Sequence, residues 1–387
     1  MPASLYFHVP FCSHRCAYCD FNTYAGQEEA IPAYVEALCE EIRAVGDAAP
    51  DKHVGTIFFG GGTPSLLRGE QFRKIFESIR RYFEVVPGAE TSLEANPGTV
   101  TAESLGELRS IGFNRISYGV QSTNPEELRM LERIHSYEDV IDAFTWSRRA
   151  GFDNLNFDLI YGLPEQTLER WQQSVRLVSE LKPEHISAYA LTLEHGTPFG
   201  RWAARGLLPI PDPDLAASQY EWAAEFLAGK GYEQYEISNW SFPGRQCRHN
   251  LQYWRNLDYL GLGAGAHGYA SGCRYSNVLR IKTYIERLKQ DSTGGLPYPL
   301  SPAAVNQHWN SPRDDMQETM MTGLRLTQEG VSGRGFRERF GVEIGEAFGK
   351  EIGQLVKLGL LEWADDRLCL TVRGRLLGNQ VFMEFVG

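Results

Sequence analysis

The sequence predicts an α/β fold built on a parallel sheet, followed by a smaller unit of different character. Three observations carry this. Six β-rich runs recur through the first half of the chain: LYFHV (5–9), TIFF (56–59), TSLEA (91–95), RISYGV (115–120), NLNFDLIY (154–161) and HISAYAL (185–191). Segments with helical apolar spacing lie between them, IPAYVEALCEEIRAV (31–45) and TLERWQQSVRLVSEL (167–181) being the clearest. Such βα units in series imply parallel strands joined by right-handed crossovers, with helices outside. Finally, the polar and glycine motifs fall at strand C-terminal ends, where parallel sheets place their chemistry.

After about residue 205 the alternation stops. LLPIPDPDL (207–215) is a Pro-rich connector, leading to a helix near 216–230 and an aromatic, Gly-rich stretch. PLSPAAVNQHWNSP (299–312) is expected to be a boundary. Beyond it, helical patterns near 314–325, 333–340 and 345–358 precede the short strand-like runs LLEWA (360–364) and LCLTV (368–372). Helices followed by a hairpin suggest a small winged-helix-like domain.

Composition narrows the function. The 387 residues suffice for one large and one small domain, with 42% hydrophobic and 22% charged content, as in soluble enzymes. Net charge is 38 minus 49, or −11, the wrong sign for tracking a phosphate backbone. Residues 311–387 carry 10 Lys/Arg against 12 Asp/Glu, so the winged-helix-like unit is no better suited to nucleic acid. No run approaches the ~18 apolar residues of a membrane span, and MPASLYFHVPFC (1–12) has no basic n-region or long apolar core. The expected location is cytoplasmic, with transient membrane association allowed for.

Cys39, Cys247, Cys273 and Cys369 are scattered, as ordinary buried thiols would be. Cys12, Cys16 and Cys19 instead crowd one loop, CSHRCAYCDF (12–21), at C-x3-C-x2-C spacing after the first strand. Zinc is one reading, because His14 lies inside the loop and His8 is near it. Zinc fingers, however, split their ligands between two knuckles, and no second cysteine pair follows. An iron–sulfur cube held by three thiolates, with one iron open, is the better fit. C-type haem attachment is excluded at this loop, since Asp20 rather than His follows Cys19.

The loop and its place after the first strand resemble the radical S-adenosylmethionine (SAM) superfamily. That resemblance implies a partial (β/α)6 TIM-like barrel, a [4Fe-4S] cluster on Cys12, Cys16 and Cys19, and SAM chelating the open iron. LYFHVPFC, FGGGTP, EANPG, YGVQS and FDLIYGLP further resemble one branch of it. This branch comprises oxygen-independent coproporphyrinogen III dehydrogenases (HemN) and their haem-chaperone relatives (HemW type). By this resemblance Tyr6, Tyr18, Gly61, Gly62, Thr63, Glu94, Gln121, Arg133 and Asp158 are the SAM-contacting residues.

Two departures point toward the chaperones. The dehydrogenases carry a fourth cysteine where this chain has Phe21, and an N-terminal extension where only eleven residues precede Cys12. RHNLQYWRN (248–256) also contains H-N-x-x-Y-W, which resembles the haem motif of the chaperone group. His249 offers an imidazole for iron, Tyr253 and Trp254 offer flat surface, and a helix would put His249 and Tyr253 on one face. Arg245, Arg248 and Arg255 are candidates for pairing haem propionates. GLGAGAHG (261–268) satisfies G-x-G-x-x-G, but no βαβ unit surrounds it, so a close-packed turn is expected.

The resulting expectation has three parts: a radical SAM core over 1–240, a connecting region with the haem motif over 241–300, and a C-terminal domain over 301–387. The expected function is a haem chaperone that binds a [4Fe-4S] cluster, SAM and haem and passes haem to acceptors such as respiratory enzymes. The competing reading is the oxidative decarboxylation of coproporphyrinogen III. A homodimer is expected from the resemblance alone.

Overall fold

The structure, a computed structural model, describes residues 3–289 and 296–386; the outermost residues of the expected domain spans and 290–295 lie outside it. Six parallel strands run in chain order: β1 (Ala3–Val9), β2 (His53–Gly61), β3 (Glu84–Ala95), β4 (Arg115–Gln121), β5 (Leu155–Tyr161) and β6 (His185–Ala190). Helices α1 (Ile31–Ala48), α2 (Gly69–Tyr82), α3 (Ala102–Ile111), α4 (Tyr137–Arg149) and α5 (Leu168–Glu180) fill the crossovers.

Period-two alternation explains the layering. Leu5, Phe7, Ile57, Phe59, Leu93, Ile116, Tyr118, Leu155, Phe157 and Ile186 belong to the main apolar core, packed beneath the helices. Each such side chain contributes roughly 1.5–3 kcal/mol by leaving water. Helix starts are fixed locally: the hydroxyls of Thr101, Ser136 and Thr167 accept from Ser104 N, Asp139 N and Arg170 N. Each cap stabilises its helix by about 1 kcal/mol.

The six strands form only the middle of a twelve-stranded sheet, and here the sequence reading fell short. Beyond β6, after helix α6 (Pro213–Gly229), lie β7 (Glu233–Glu236) and β8 (Asn239–Ser241), in the order β6-β8-β7. On the other side, β9 (Tyr259–Leu262) pairs parallel with β1, followed by β10 (His267–Ala270), β11 (Cys273–Asn277) and β12 (Ala304–Trp309). These strands are short and mostly antiparallel, so they carry no βα period. β12 falls within the stretch read as a boundary; it is an exposed edge strand without alternating burial. The glycine-rich stretch 261–268 is indeed a tight crossing, since a Cβ on Gly261 would stand 1.8 Å from His267 O.

A second core, around Met320, Phe336, Phe348, Leu368 and Phe382, belongs to the C-terminal unit. Its elements are α8 (Pro312–Gly323), α9 (Gly333–Phe340), α10 (Ile344–Lys357) and the strands β13 (Val331–Ser332), β14 (Leu361–Ala364) and β15 (Arg367–Leu370), ordered β13-β15-β14. Three longer helices, two short ones (Val372–Leu376 and Gly378–Met383) and a small antiparallel sheet make the winged-helix-like arrangement that the sequence suggested. Among the described residues no helix is long and apolar enough to cross a membrane.

Candidate cofactor cavity

A cavity of about 510 Å³ opens at the C-terminal ends of the parallel strands. Gly61, Glu94, Ser117, Asp158 and Tyr189, from five different strands, line it together. Five strands can share one cavity only because the sheet wraps around it as a partial barrel.

Cys12, Cys16 and Cys19 are the cysteines on its wall. Backbone bonds seat the loop, with Gly62 N donating to Val9 O at 2.9 Å and Thr63 N to Phe11 O at 2.7 Å. A Cβ on Gly62 would lie 2.5 Å from Phe11 O and 3.1 Å from Cys12 Sγ, so only glycine permits this approach. Thr63 Oγ1 donates to Cys12 Sγ at 3.6 Å and Arg133 Nη1 to Cys16 Sγ at 3.8 Å. Burial pushes the Cys12 and Cys19 thiols up from their ordinary pKa.

Two carboxyls line the same cavity. Glu94 accepts from Gly61 N at 3.0 Å, and burial, then the nearby charge of Asp158, pushes its carboxyl up to about 7. Asp158 accepts from Ser117 Oγ at 2.9 Å and Asn156 Nδ2 at 2.8 Å. Burial likewise raises its pKa, with the hydrogen bonds opposing. Arg133 is held by Asn96 Oδ1 and by Gly119 O at 2.7 Å. Gln121 sits at φ +67°, an uncommon conformation for a non-glycine residue that turns the chain at the cavity rim.

These residues fit the implied groups. Three soft thiols on one wall suit an iron–sulfur cluster rather than a hard cation. Glu94 and Asp158 share the cavity with them, their buried carboxyls able to take a cationic group.

Cys12, Cys16, Cys19, Tyr18, Gly61, Gly62, Thr63, Glu94, Gln121, Arg133 and Asp158 all line the cavity. Tyr6 and His249 do not. The Tyr6 hydroxyl donates to His8 Nδ1 at 3.0 Å, and its ring stacks on Phe58. His249 lies in the first turn of the helix α7 (Arg248–Trp254) and is only 1% exposed. Its Nδ1 meets Thr56 Oγ1 at 2.7 Å and its Nε2 meets the Tyr253 hydroxyl at 2.8 Å, so neither nitrogen faces open space. Burial lowers its pKa to about 3, keeping the ring neutral. The three arginines do not converge on one point: Arg245 pairs with Asp153, Arg248 with Gly88 O and Arg255 with Glu329.

Asn96 and Ser117 were missed. Asn96 directly follows the motif's Glu94–Ala95 pair, and Ser117 shares the inward face of β4 with Gly119, a period-two signal.

The fold and this cavity are those of a radical SAM protein. Residues 6–178 match the family model of the Radical SAM superfamily, and residues 310–377 match that of the HemN C-terminal domain. The chain is 37% identical over 385 residues to the heme chaperone HemW of Bacillus subtilis, covering 99% of both chains. To the heme chaperone HemW of Escherichia coli it is 42% identical over 269 residues, 69% of this chain and 70% of that one. The solved coproporphyrinogen III oxidase (HemN) of Escherichia coli, a radical SAM enzyme, superposes with a TM-score of 0.84 at 25% identity, covering 99% of this chain and 90% of that one. The chain belongs to the heme chaperone HemW family.

Proposed function

We propose that the protein is a haem chaperone that holds a [4Fe-4S] cluster and SAM in the cysteine cavity, binds haem, and transfers it to acceptor proteins such as respiratory enzymes. One observation carries the cofactor assignment: the three thiols share a cavity with Glu94, Asp158 and Arg133. Cys12, Cys16 and Cys19 hold the cluster, and Glu94 and Asp158 receive the cationic end of SAM. When bound, the cluster and SAM supply one-electron chemistry. The chain's own residues orient and shield: Arg133 and Thr63 donate toward the cysteine sulfurs, and Tyr18 packs against Phe199 over the loop.

The haem assignment draws on the likeness to heme chaperones along nearly the whole chain and on the imidazole of His249. As placed, the ring binds iron only after losing Thr56 or Tyr253. Phe21, 63% exposed at the cavity wall where a fourth cysteine stands in the dehydrogenases, favours the chaperone over the decarboxylase. The deciding experiment pairs two anaerobic assays on reconstituted protein. Stoichiometric haem binding with transfer to an apo-haemoprotein, and no coproporphyrinogen turnover, is expected. Robust protoporphyrinogen formation would overturn the reading.

A further inference from the structure

The inner face of the barrel is polar from the cavity to its far end. Ser4, Thr56, Glu90, Arg115, Asn156 and His185 are all buried there. A row of hydrogen bonds links the last two to the cavity. Asp158, in the cavity, accepts from Asn156 Nδ2 at 2.8 Å. Asn156 Oδ1 accepts from His185 Nδ1 at 2.6 Å, and the Tyr235 hydroxyl donates to His185 Nε2 at 2.8 Å. The same hydroxyl accepts from Cys247 N at 3.3 Å, immediately before α7. His185 is held neutral by burial, which matches one donating and one accepting ring nitrogen.

The far end of this row is the start of the helix that carries His249. Glu90 takes the backbone amides of Arg248 and His249 at 3.0 Å each, and the Cys247 thiol donates to it at 3.6 Å. A second row reaches the same helix from the cysteine loop. His8 Nε2 donates to Asn22 O at 2.9 Å, Tyr6 donates to His8, and the Tyr6 ring lies 6.4 Å from that of His249. From outside, the Arg325 guanidinium covers Trp254 at 4.3 Å and Arg255 pairs with Glu329 at 2.8 Å.

The helix is thus closed over an imidazole with no free nitrogen, and the first row begins at Asp158 in the cysteine cavity. The network also has slack: Ser92 Oγ and Arg115 Nε, on paired residues of β3 and β4, lack a partner among the described residues. A ligand shifts such an equilibrium only through a different interaction with its two states. A donor group binding Asp158 supplies this, because it competes with Asn156 for the carboxylate. Asn156 also donates to Ser117 Oγ at 2.6 Å and accepts from Ser187 Oγ at 3.2 Å, so losing Asp158 re-aims its amide toward these partners and weakens its bond to His185. The Tyr235 hydroxyl is then held less firmly against Cys247 N.

We propose that residues 248–254 form a latch over His249, and that SAM binding in the cysteine cavity releases it through the row Asp158–Asn156–His185–Tyr235–Cys247. This rests on the haem-chaperone reading. Two sites, two states of one helix and a differential contact are what coupling requires.

Hydrogen exchange followed by mass spectrometry on the reconstituted full chain, with and without SAM, tests it. With SAM, exchange at the amides of Cys247, Arg248 and His249 should rise by about five-fold or more, and haem Kd should fall by a similar factor. Exchange within α1 should not change. Tyr235→Phe keeps the ring but removes the bridging hydroxyl; it should still bind SAM and lose both effects. Calorimetric SAM binding to the parent protein with unchanged exchange and haem Kd overturns the latch. Coupling that survives intact in Tyr235→Phe overturns the route. Failure of the parent to bind SAM at all removes the functional reading and the latch with it.

Discussion

The imidazole of His249 lies over the ring of Phe58, with centroids 5.1 Å apart and planes 26° from parallel. A residue marked by its motif as a metal ligand is therefore, in this conformation, also part of the barrel interior. The contact makes its two roles separable by experiment.

His249→Ala should cost about 2–4 kcal/mol of stability, because it empties a packed site and leaves the hydroxyls of Thr56 and Tyr253 without their partner. Urea denaturation checks this. The same variant, where folded, should show an altered Soret band and weaker haem binding, with the iron–sulfur absorption intact. A haem spectrum and affinity equal to the parent's would remove His249 as ligand, and His267 would be tested next.

Replacing Cys12, Cys16 or Cys19 singly with Ala should abolish the broad visible absorption that anaerobic reconstitution with iron and sulfide produces. Stoichiometric zinc in a colourless parent protein would refute the cluster.

Gly62→Ala should lower cluster occupancy while keeping all three thiols. The new methyl carbon would stand 2.5 Å from Phe11 O and 2.8 Å from Val9 O, so the strand leading to Cys12 must shift. Iron and sulfide content per chain reads this directly.

The carboxyl of Glu94 gives a pH test. Its pKa rises from 4.5 to about 7 on folding, so between those values the native state keeps a proton that the unfolded chain has lost. Stability therefore falls as pH rises through this window, by about 3 kcal/mol at most, and is flat above it. Binding of a cation runs the other way. It favours the ionised carboxylate, so SAM affinity should rise with pH up to about 7 and then level. Glu94→Gln should flatten that dependence, as calorimetry at several pH values would show. An unchanged pH profile in the variant would remove Glu94 from the cation site.

The particular residues show how much could be read in advance. The barrel strands were legible because each crosses a core with one greasy and one polar face, leaving a period of two in runs such as RISYGVQ. The strands β7 to β12 were not. They are held by neighbours distant in the chain, and an edge strand such as Ala304–Trp309 needs no alternation. For the site, the residues singled out near the loop in sequence or at strand ends line one cavity. Tyr6 does not, because one strand position decides whether a side chain meets the cavity or the packed interior below it.

By itself, then, the sequence determined the chemistry available: C-x3-C-x2-C spacing places three thiols within one loop, and that spacing is a local property of the chain. It also determined that His249 and Tyr253 share a helical face, since i and i+4 always do. Only the tertiary structure decided where that face points. α7 turns it inward because Glu90, from β3, captures the first amides of the helix, and Thr56, from β2, captures the ring. Burying a helix start without such partners costs too much, so contacts across 159 and 193 residues of chain set the orientation.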